Sequence, residues 1–376
     1  MARPGQAPTG PNVDRASLGL TAATVGVGAV LALVIFMVIG GSAPAAAIPG
    51  LPGAGLLVGW LLPVSRLAMD VAAVAAVGCL VYAAYLVPAR ERQRRPAQLA
   101  LRRPAQLALR SASWCALAWA VAAGVGSLLT LADISGQPLT DLITSDGFAD
   151  SLVTVDQSRS LLLVVALTSL VCLCARRVST PEGPLLVLVL AAGTLIPPIL
   201  TGHAASHNNH ELATASLIVH VLAASAWVGG LGAVLLFRRR STKEVGTVTR
   251  YSTLALGCFL ATGTSGLVNA WIRLADGDGV FTELFGTRYG LLVLGKLTAL
   301  TALAGFGWWH RKTTIGQLSA GRPEAFRRFA GREVLLMIGT IALAVALSRT
   351  PTPGPGVSNI DPADPGHQEH ALSVSR

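Results

Sequence analysis

Nine long apolar runs, separated by short polar segments, constrain this chain of 376 residues more than any other feature. Several runs exceed about 18 nearly uncharged residues, the length at which an apolar segment becomes a candidate transmembrane helix. The composition agrees, because 52% of the residues are hydrophobic and only 13% are charged, which is unlike a water-soluble domain. We therefore predict an all-α, polytopic membrane helix bundle of about nine transmembrane helices, at approximately 19–40, 64–87, 111–132, 159–175, 184–202, 212–236, 251–273, 289–310 and 331–348.

The segments between the apolar runs alternate between basic and acidic. Loop 88–110 holds seven arginines, whereas loop 133–158 holds five aspartates and no lysine or arginine. Loops 237–250 and 311–332 are again basic. Basic loops of membrane proteins stay in the cytoplasm, so the alternation predicts an N-terminus inside and a C-terminus outside. The net charge of +10 is concentrated in these loops, and we therefore expect no nucleic-acid partner.

This organisation predicts four regions. They are a cytoplasmic N-terminal segment (1–18), a first transmembrane region of five helices (19–200), a second of four helices (201–350) and a disordered extracytoplasmic tail (351–376). The first apolar run is too long for the hydrophobic part of a usual signal peptide, so we expect it to remain as a span. The octapeptide RPAQLALR occurs twice in tandem over residues 95–110, and we interpret it as a duplication in a tolerant cytoplasmic loop.

Four of the seven histidines lie close together in the sequence, at His203, His207, His210 and His220. The predicted topology puts all four in the outer half of the protein, with His220 two to three turns inside its helix. Neutral imidazole is a common ligand of copper, zinc and nickel, and an ionisable residue inside a membrane is a functional hypothesis by default. We predict a metal site that joins His220 to His203, with His207 and His210 as its entrance. The alternatives are ordinary turn residues for the last two and a packing role for His220.

Other polar residues also fall inside the apolar runs. Arg66 and Asp70 are one helical turn apart and predict an ion pair, with Met69, one of only four methionines, beside them. Asn269 lies near the outer end of its span. Such residues either bind helices together or take part in transport.

Lys296 is predicted to lie about two turns inside the eighth span. A lysine at that depth needs a partner, such as Asp70, Glu283 or a carbonyl oxygen.

Soft or imidazole ligands are scarce near the predicted cytoplasmic side, where the sequence offers Cys172, Cys174 and His310. The two cysteines are two residues apart, so they point in different directions on a helix and do not chelate one ion.

Several short motifs in the second half of the chain are distinctive. They are Gly202-His203-Ala204, the run from His220 to Gly230, Ser265–Trp271 (SGLVNAW), Thr287–Gly290 (TRYG) and Gly295-Lys296-Leu297. In these motifs the chain resembles the CopD copper-resistance membrane proteins, over spans six to nine. The earlier spans resemble the N-terminal part of actinobacterial proteins in which a CopD region is fused to a CtaG-like cytochrome oxidase assembly region.

The resemblance implies a copper-handling protein of the cytoplasmic membrane, which takes copper up or transfers it for the assembly of copper enzymes. It implies a CopC-like extracytoplasmic copper carrier and a cytochrome oxidase assembly factor as candidate partners, besides the lipid bilayer. Copper is then the transported ion, with His203 and His220 as its ligands and Asn269 and Lys296 as matching polar positions.

Two other functions fit the same residues. A carrier of b-type haem would need axial histidines, which His203 and His220 supply, and a non-transporting assembly scaffold would need none. The chain has no nucleotide-binding or hydrolase motif, so we do not expect an enzyme.

Overall fold

Long apolar helices form most of the described chain. The structure, a computed structural model, describes residues 15–45, 53–87, 93–95, 98–101, 103–202, 210–237, 244–275, 279–319 and 323–352. The tail predicted to be disordered lies almost wholly outside these residues.

The helices follow one another with short connections. They are α1 (Arg15–Ile39), α2 (Gly55–Val81), α3 (Arg103–Ser135), α4 (Leu139–Thr144), α5 (Phe148–Thr154), α6 (Asp156–Arg177), α7 (Gly183–Thr194), α8 (Pro197–Leu200), α9 (His210–Phe237), α10 (Glu244–Leu274), α11 (Val280–Gly286), α12 (Arg288–Ser319) and α13 (Pro323–Arg349). Helix α2 continues as a π-helical turn, Tyr82–Leu86. Two short antiparallel strands, β1 (Gln93–Arg95) and β2 (Gln98–Leu101), pair in the connection between α2 and α3.

Eight candidate spans in the described residues are long and apolar enough to cross a membrane. They correspond to the second to ninth predicted spans, and the first corresponds to α1, whose Ala23–Ile39 part is a shorter apolar helix. Large apolar side chains also cover the outside of the bundle; Leu186, for example, is 69% exposed. An apolar surface of this extent is stable in lipid rather than in water. The all-α membrane bundle is therefore confirmed, and the protein is a multi-pass membrane protein.

Several predicted span boundaries differ from the structure, and two of the differences involve proline. Helix α2 begins at Gly55, earlier than the predicted residue 64, because Pro63 is accommodated inside the helix. Proline is tolerated in membrane helices when neighbouring groups satisfy the freed carbonyl. The predicted fifth span is not one helix, since α7 ends at Thr194 and α8 restarts at Pro197.

Helix α2 lies at the centre of the bundle and packs on α3, α9 and α13, while α9 packs along α10. The crossing of α2 and α9 is close because glycines meet there. A Cβ on Gly229 would lie only 2.8 Å from the N and Cα atoms of Gly78. Small residues of this kind let membrane helices come into backbone contact.

The two ends of the bundle differ in charge. At the acidic end, which carries the aspartates between α3 and α6, Arg349 pairs with Asp133 at 3.2 Å. At the basic end, which carries Arg176 and Arg177 in the last turn of α6, Arg250 donates a hydrogen bond to the Tyr85 carbonyl at 3.1 Å. Successive spans run alternately between these two ends.

Candidate functional site

The His220 side chain lies between α9 and α10, about 14 Å from the acidic end of its span at 1.5 Å per residue. Its Nδ1 atom is 3.0 Å from the Thr262 carbonyl oxygen and 3.2 Å from Ser265 Oγ. The ring also lies against Gly266, where an added Cβ would come within 3.2 Å of Cε1. The imidazole is therefore held against α10 and is partly buried rather than directed into lipid.

These contacts determine which ring nitrogen carries the proton. The Thr262 carbonyl can only accept, so Nδ1 must donate its hydrogen to it. Ser265 Oγ already donates to the Ala261 carbonyl at 2.5 Å, so it too accepts from Nδ1. The neutral ring therefore leaves Nε2 unprotonated, and within the described residues its lone pair accepts no hydrogen bond. Histidines that bind metals in proteins use this arrangement, with one nitrogen hydrogen-bonded and the other available.

A small polar network continues from His220 toward the acidic end. Ser216 Oγ donates to the Ser265 carbonyl at 2.9 Å. Asn269 Nδ2 donates to Ser216 Oγ at 2.7 Å and to the Ser265 carbonyl at 3.0 Å. Asn269 thus fixes the register of α9 against α10 at the level of the imidazole.

We expect Asn269→Ala to weaken this contact. The change removes two hydrogen bonds, each contributing about 1 kcal/mol, and thermal unfolding in detergent should occur at a lower temperature. Thr264→Ala is the matched control, because the exposed Thr264 hydroxyl bonds only to carbonyls of its own helix. An equal effect of the two substitutions would contradict the assigned role of Asn269.

One positive charge lies near His220, and a second lies near the first. Lys296 on α12 is within electrostatic range of the imidazole, and Arg273 on α10 is within range of Lys296. No carboxylate of the described residues is within ion-pair distance of Lys296. Of the partners considered for Lys296, the carboxylates Asp70 and Glu283 form no ion pair with it among these residues, and a carbonyl oxygen stays a prediction. Sequence spacing gives the depth of a residue in its helix but not the neighbour that its helix face meets.

Polar side chains continue along the α9–α10 contact toward the basic end. Trp227, two turns from His220 on the same face, is buried and packs edge to face on Phe259 at 5.5 Å. Its carbonyl accepts a hydrogen bond from Tyr251 Oη at 3.1 Å. Glu333 on α13 is 6% exposed and lies within electrostatic range of Tyr251. Polar groups therefore lie on both sides of Trp227 along the helix axis, toward the acidic end and toward the basic end.

The residues predicted around Asp70 separate in the structure. Arg66 Nε lies 3.4 Å from Asp70 Oδ1, so the expected ion pair is present. Met69 does not join it, because it is 4% exposed in an apolar cluster with Trp119 and Val164. Consecutive residues of a helix point about 100° apart, which places Met69 on a different face from Asp70.

The predicted partners of His220 lie largely outside the described part of the chain. This applies to His203 and His207, and to the side chain of His210, the first residue of α9. Within the described residues, no three histidine, cysteine or acidic side chains cluster as metal ligands would. The joint site of His203 and His220 stays a prediction.

Sequence reasoning missed two groups near the basic end. Glu333 stands next to a basic loop, so its charge looks like an ordinary feature of the helix end, although it is buried. Cys79 and Cys115 lie in different spans with no motif around them, yet they are within electrostatic range of each other. In the sequence, the one feature that could have identified these residues was their position inside or beside an apolar run.

Two family models match the chain. The model described as Copper resistance protein D matches residues 245–347, and that described as Copper resistance protein D-like, N-terminal domain, matches residues 56–210. The Copper transport protein CutJ of Bacillus subtilis (strain 168) is 27% identical over 194 residues, which cover 50% of this chain and 35% of that protein. The chain thus spans about a third of the length of this curated relative. No solved structure matches significantly.

Proposed function

The chain belongs to the copper resistance protein D family, and from this premise we propose that it moves copper across the cytoplasmic membrane by way of His220. That it is a copper-handling membrane protein follows from the family and the spans. The proposal concerns transport, the direction of transport and the residues that take part in it. It includes no chemical reaction. The Bacillus subtilis relative is named a copper transport protein, which supports transport.

The free Nε2 atom of His220 is the observation that carries the proposal. The ring is oriented by the Thr262 carbonyl through Nδ1, so its second nitrogen is presented as a ligand without reorganisation. Imidazole binds both common oxidation states of copper. Further ligands would come from the predicted partner His203 or from the molecule that delivers the ion.

The charges beside His220 favour weak binding. Lys296 repels a cation at His220, and no described carboxylate pairs with Lys296. A pathway needs binding strong enough for entry and weak enough for exit. One well-oriented ligand close to a positive charge favours brief binding of copper over permanent storage.

The charge of the two ends supports a direction. The basic end faces the cytoplasm by the positive-inside rule, which puts the acidic end and His220 toward the outside. Aspartates at that end attract copper or a copper carrier of the CopC type. Copper would then pass along the α9–α10 contact toward Glu333 and reach cytoplasmic acceptors or an oxidase assembly factor.

Reconstituted vesicles test the proposal directly. Purified protein in vesicles that contain a copper indicator should admit copper faster than protein-free vesicles do, while magnesium entry stays unchanged as a control for leakage. Absence of copper entry under both oxidising and reducing conditions would contradict transport.

The same preparation separates the two alternatives. A Soret band in its optical spectrum would identify a haem protein. Bound copper without flux would favour transfer to a partner, and neither copper nor flux would favour the scaffold.

A further inference from the structure

A groove on the outer surface of the bundle follows the contact between α2 and α3. It has a volume of about 550 Å³ and is lined by Ser65 and Ala68 of α2 and by Trp114, Leu117, Val121 and Val125 of α3. The four α3 side chains are exposed on the surface that faces lipid. The lining hydroxyl, on Ser65, already donates to the Leu62 carbonyl at 2.8 Å. The groove therefore presents an almost entirely apolar surface.

The length of the groove matches one leaflet of a bilayer. Helix α3 runs from the basic end, where Trp114 contacts Arg176, to the acidic end, where Asp133 pairs with Arg349. Val125 lies 11 residues beyond Trp114, or about 16 Å along the helix. Since the hydrocarbon core of a bilayer is about 30 Å thick, the groove extends from the basic end to about the middle of the membrane. Its length and apolar lining fit a lipid acyl chain.

Arg176 stands at the basic end of the groove. Its guanidinium lies over the Trp114 ring, with 5.1 Å between Cζ and the ring centroid, which is a cation–π contact. Its Nε donates to Ser113 Oγ at 2.7 Å, and this hydroxyl donates to the Cys172 carbonyl at 3.1 Å. Ser113 is 1% exposed. A buried hydroxyl and an aromatic ring therefore hold the guanidinium in place.

The guanidinium keeps donors for an anion. Arginine has five N–H groups. Within the described residues, Arg176 makes no ion pair with a carboxylate and no hydrogen bond besides the one to Ser113. Its remaining N–H groups have the planar geometry that matches a phosphate. The apolar groove thus ends at a fixed cation with unused donors.

We propose that this groove binds one anionic phospholipid, with an acyl chain along Trp114–Val125 and the phosphate at Arg176. Basic pockets between transmembrane helices on the cytoplasmic side bind anionic headgroups, and the positive-inside rule assigns the basic end to that side. A zwitterionic lipid would bring its own cation close to Arg176 and bind less tightly. The site is separate from His220 and does not depend on copper transport.

Native mass spectrometry of delipidated protein tests the site. Phosphatidylglycerol should form a one-lipid complex at lower concentration than phosphatidylcholine with the same acyl chains. Arg176→Gln should lower this preference about fivefold, the contribution of one basic residue near an anionic lipid. Arg177→Gln is the matched control, because Arg177 is exposed on the same helical turn but outside the Trp114 contact, and it should keep the preference. Equal affinity for the two lipids, or equal effects of the two substitutions, would overturn the proposal.

Ala118→Phe tests the groove without a change of charge. Ala118 lines the groove and is exposed, so a phenyl ring can fill the groove without entering the protein interior. This variant should unfold at an unchanged temperature in detergent and bind phosphatidylglycerol more weakly. Leu186→Phe, on the exposed face of α7, should bind it normally.

Three results would contradict the acyl-chain site. Normal binding of phosphatidylglycerol by Ala118→Phe would show that the groove holds no chain. Displacement of the lipid by glycerol 3-phosphate would show that the headgroup binds alone. A dimer that lipid leaves unchanged and that Ala118→Phe dissociates would assign the groove to a second copy of the chain.

Discussion

Replacement of His220 by alanine should abolish copper flux and lower copper affinity at the acidic half of the protein by at least about tenfold. Loss of groups that merely orient a metal ligand already lowers affinity by about 10–100-fold, and this change removes the ligand itself. Copper titration and vesicle flux measure the two effects.

His220→Asn separates the ligand from its packing role. The asparagine amide can still donate to the Thr262 carbonyl in place of Nδ1, but it offers no counterpart of Nε2. We expect this variant to unfold at nearly the same temperature as the unmodified protein, yet to show the same loss of copper flux as the alanine variant. Normal flux in His220→Asn would mean that the imidazole only joins α9 to α10.

Thr262→Val supplies a neighbouring control. The Thr262 hydroxyl is buried and has no hydrogen-bond partner in the described structure, whereas its backbone carbonyl holds the imidazole. Removal of the hydroxyl should leave flux and stability nearly unchanged.

Substitution of Gly78 by leucine should cause the largest loss of stability. A Cβ at this position would overlap the Gly229 backbone, so the two helices must separate or rotate. Overpacking of a well-packed interior costs about 1–3 kcal/mol and occasionally more, and here the obstacle is backbone that cannot change rotamer. Thermal unfolding in detergent and the yield of folded protein from membranes measure the effect.

Gly232 provides the matched comparison on α9, because a Cβ there would meet nothing within 4 Å. Gly232→Leu should leave the unfolding temperature close to that of the unmodified protein. Similar unfolding temperatures for Gly78→Leu and Gly232→Leu would contradict the close crossing of α2 and α9.

The spans were predictable from the sequence, but the contacts between their helices were predictable only in part. Gly229 and Gly230 contact Gly78 and the Tyr251 ring respectively, whereas Gly232 on the same helix has open space around it. Glycine indicates that close approach is allowed. It does not indicate which of several glycines on a helix faces a neighbour.

The residues of the candidate site show the same limit. His220 was identified because an imidazole inside an apolar run is conspicuous, but its orientation by Thr262, 42 residues away, was not. The charged neighbours of Lys296 in the described residues are His220 and Arg273 rather than one of the two carboxylates considered as partners. Charge and depth are local properties, whereas a partner depends on how two helices are rotated about their axes.

The sequence by itself determined that this protein is an all-helical membrane bundle of the copper resistance protein D family, because each span must satisfy its own backbone hydrogen bonds in lipid and so carries its own apolar signal. Only the tertiary structure decided that Gly78 meets Gly229 and that the Thr262 carbonyl holds the His220 ring against α10. Those contacts follow from packing between helix faces, where small differences in rotation and register select the partner and the lipid outside contributes little preference.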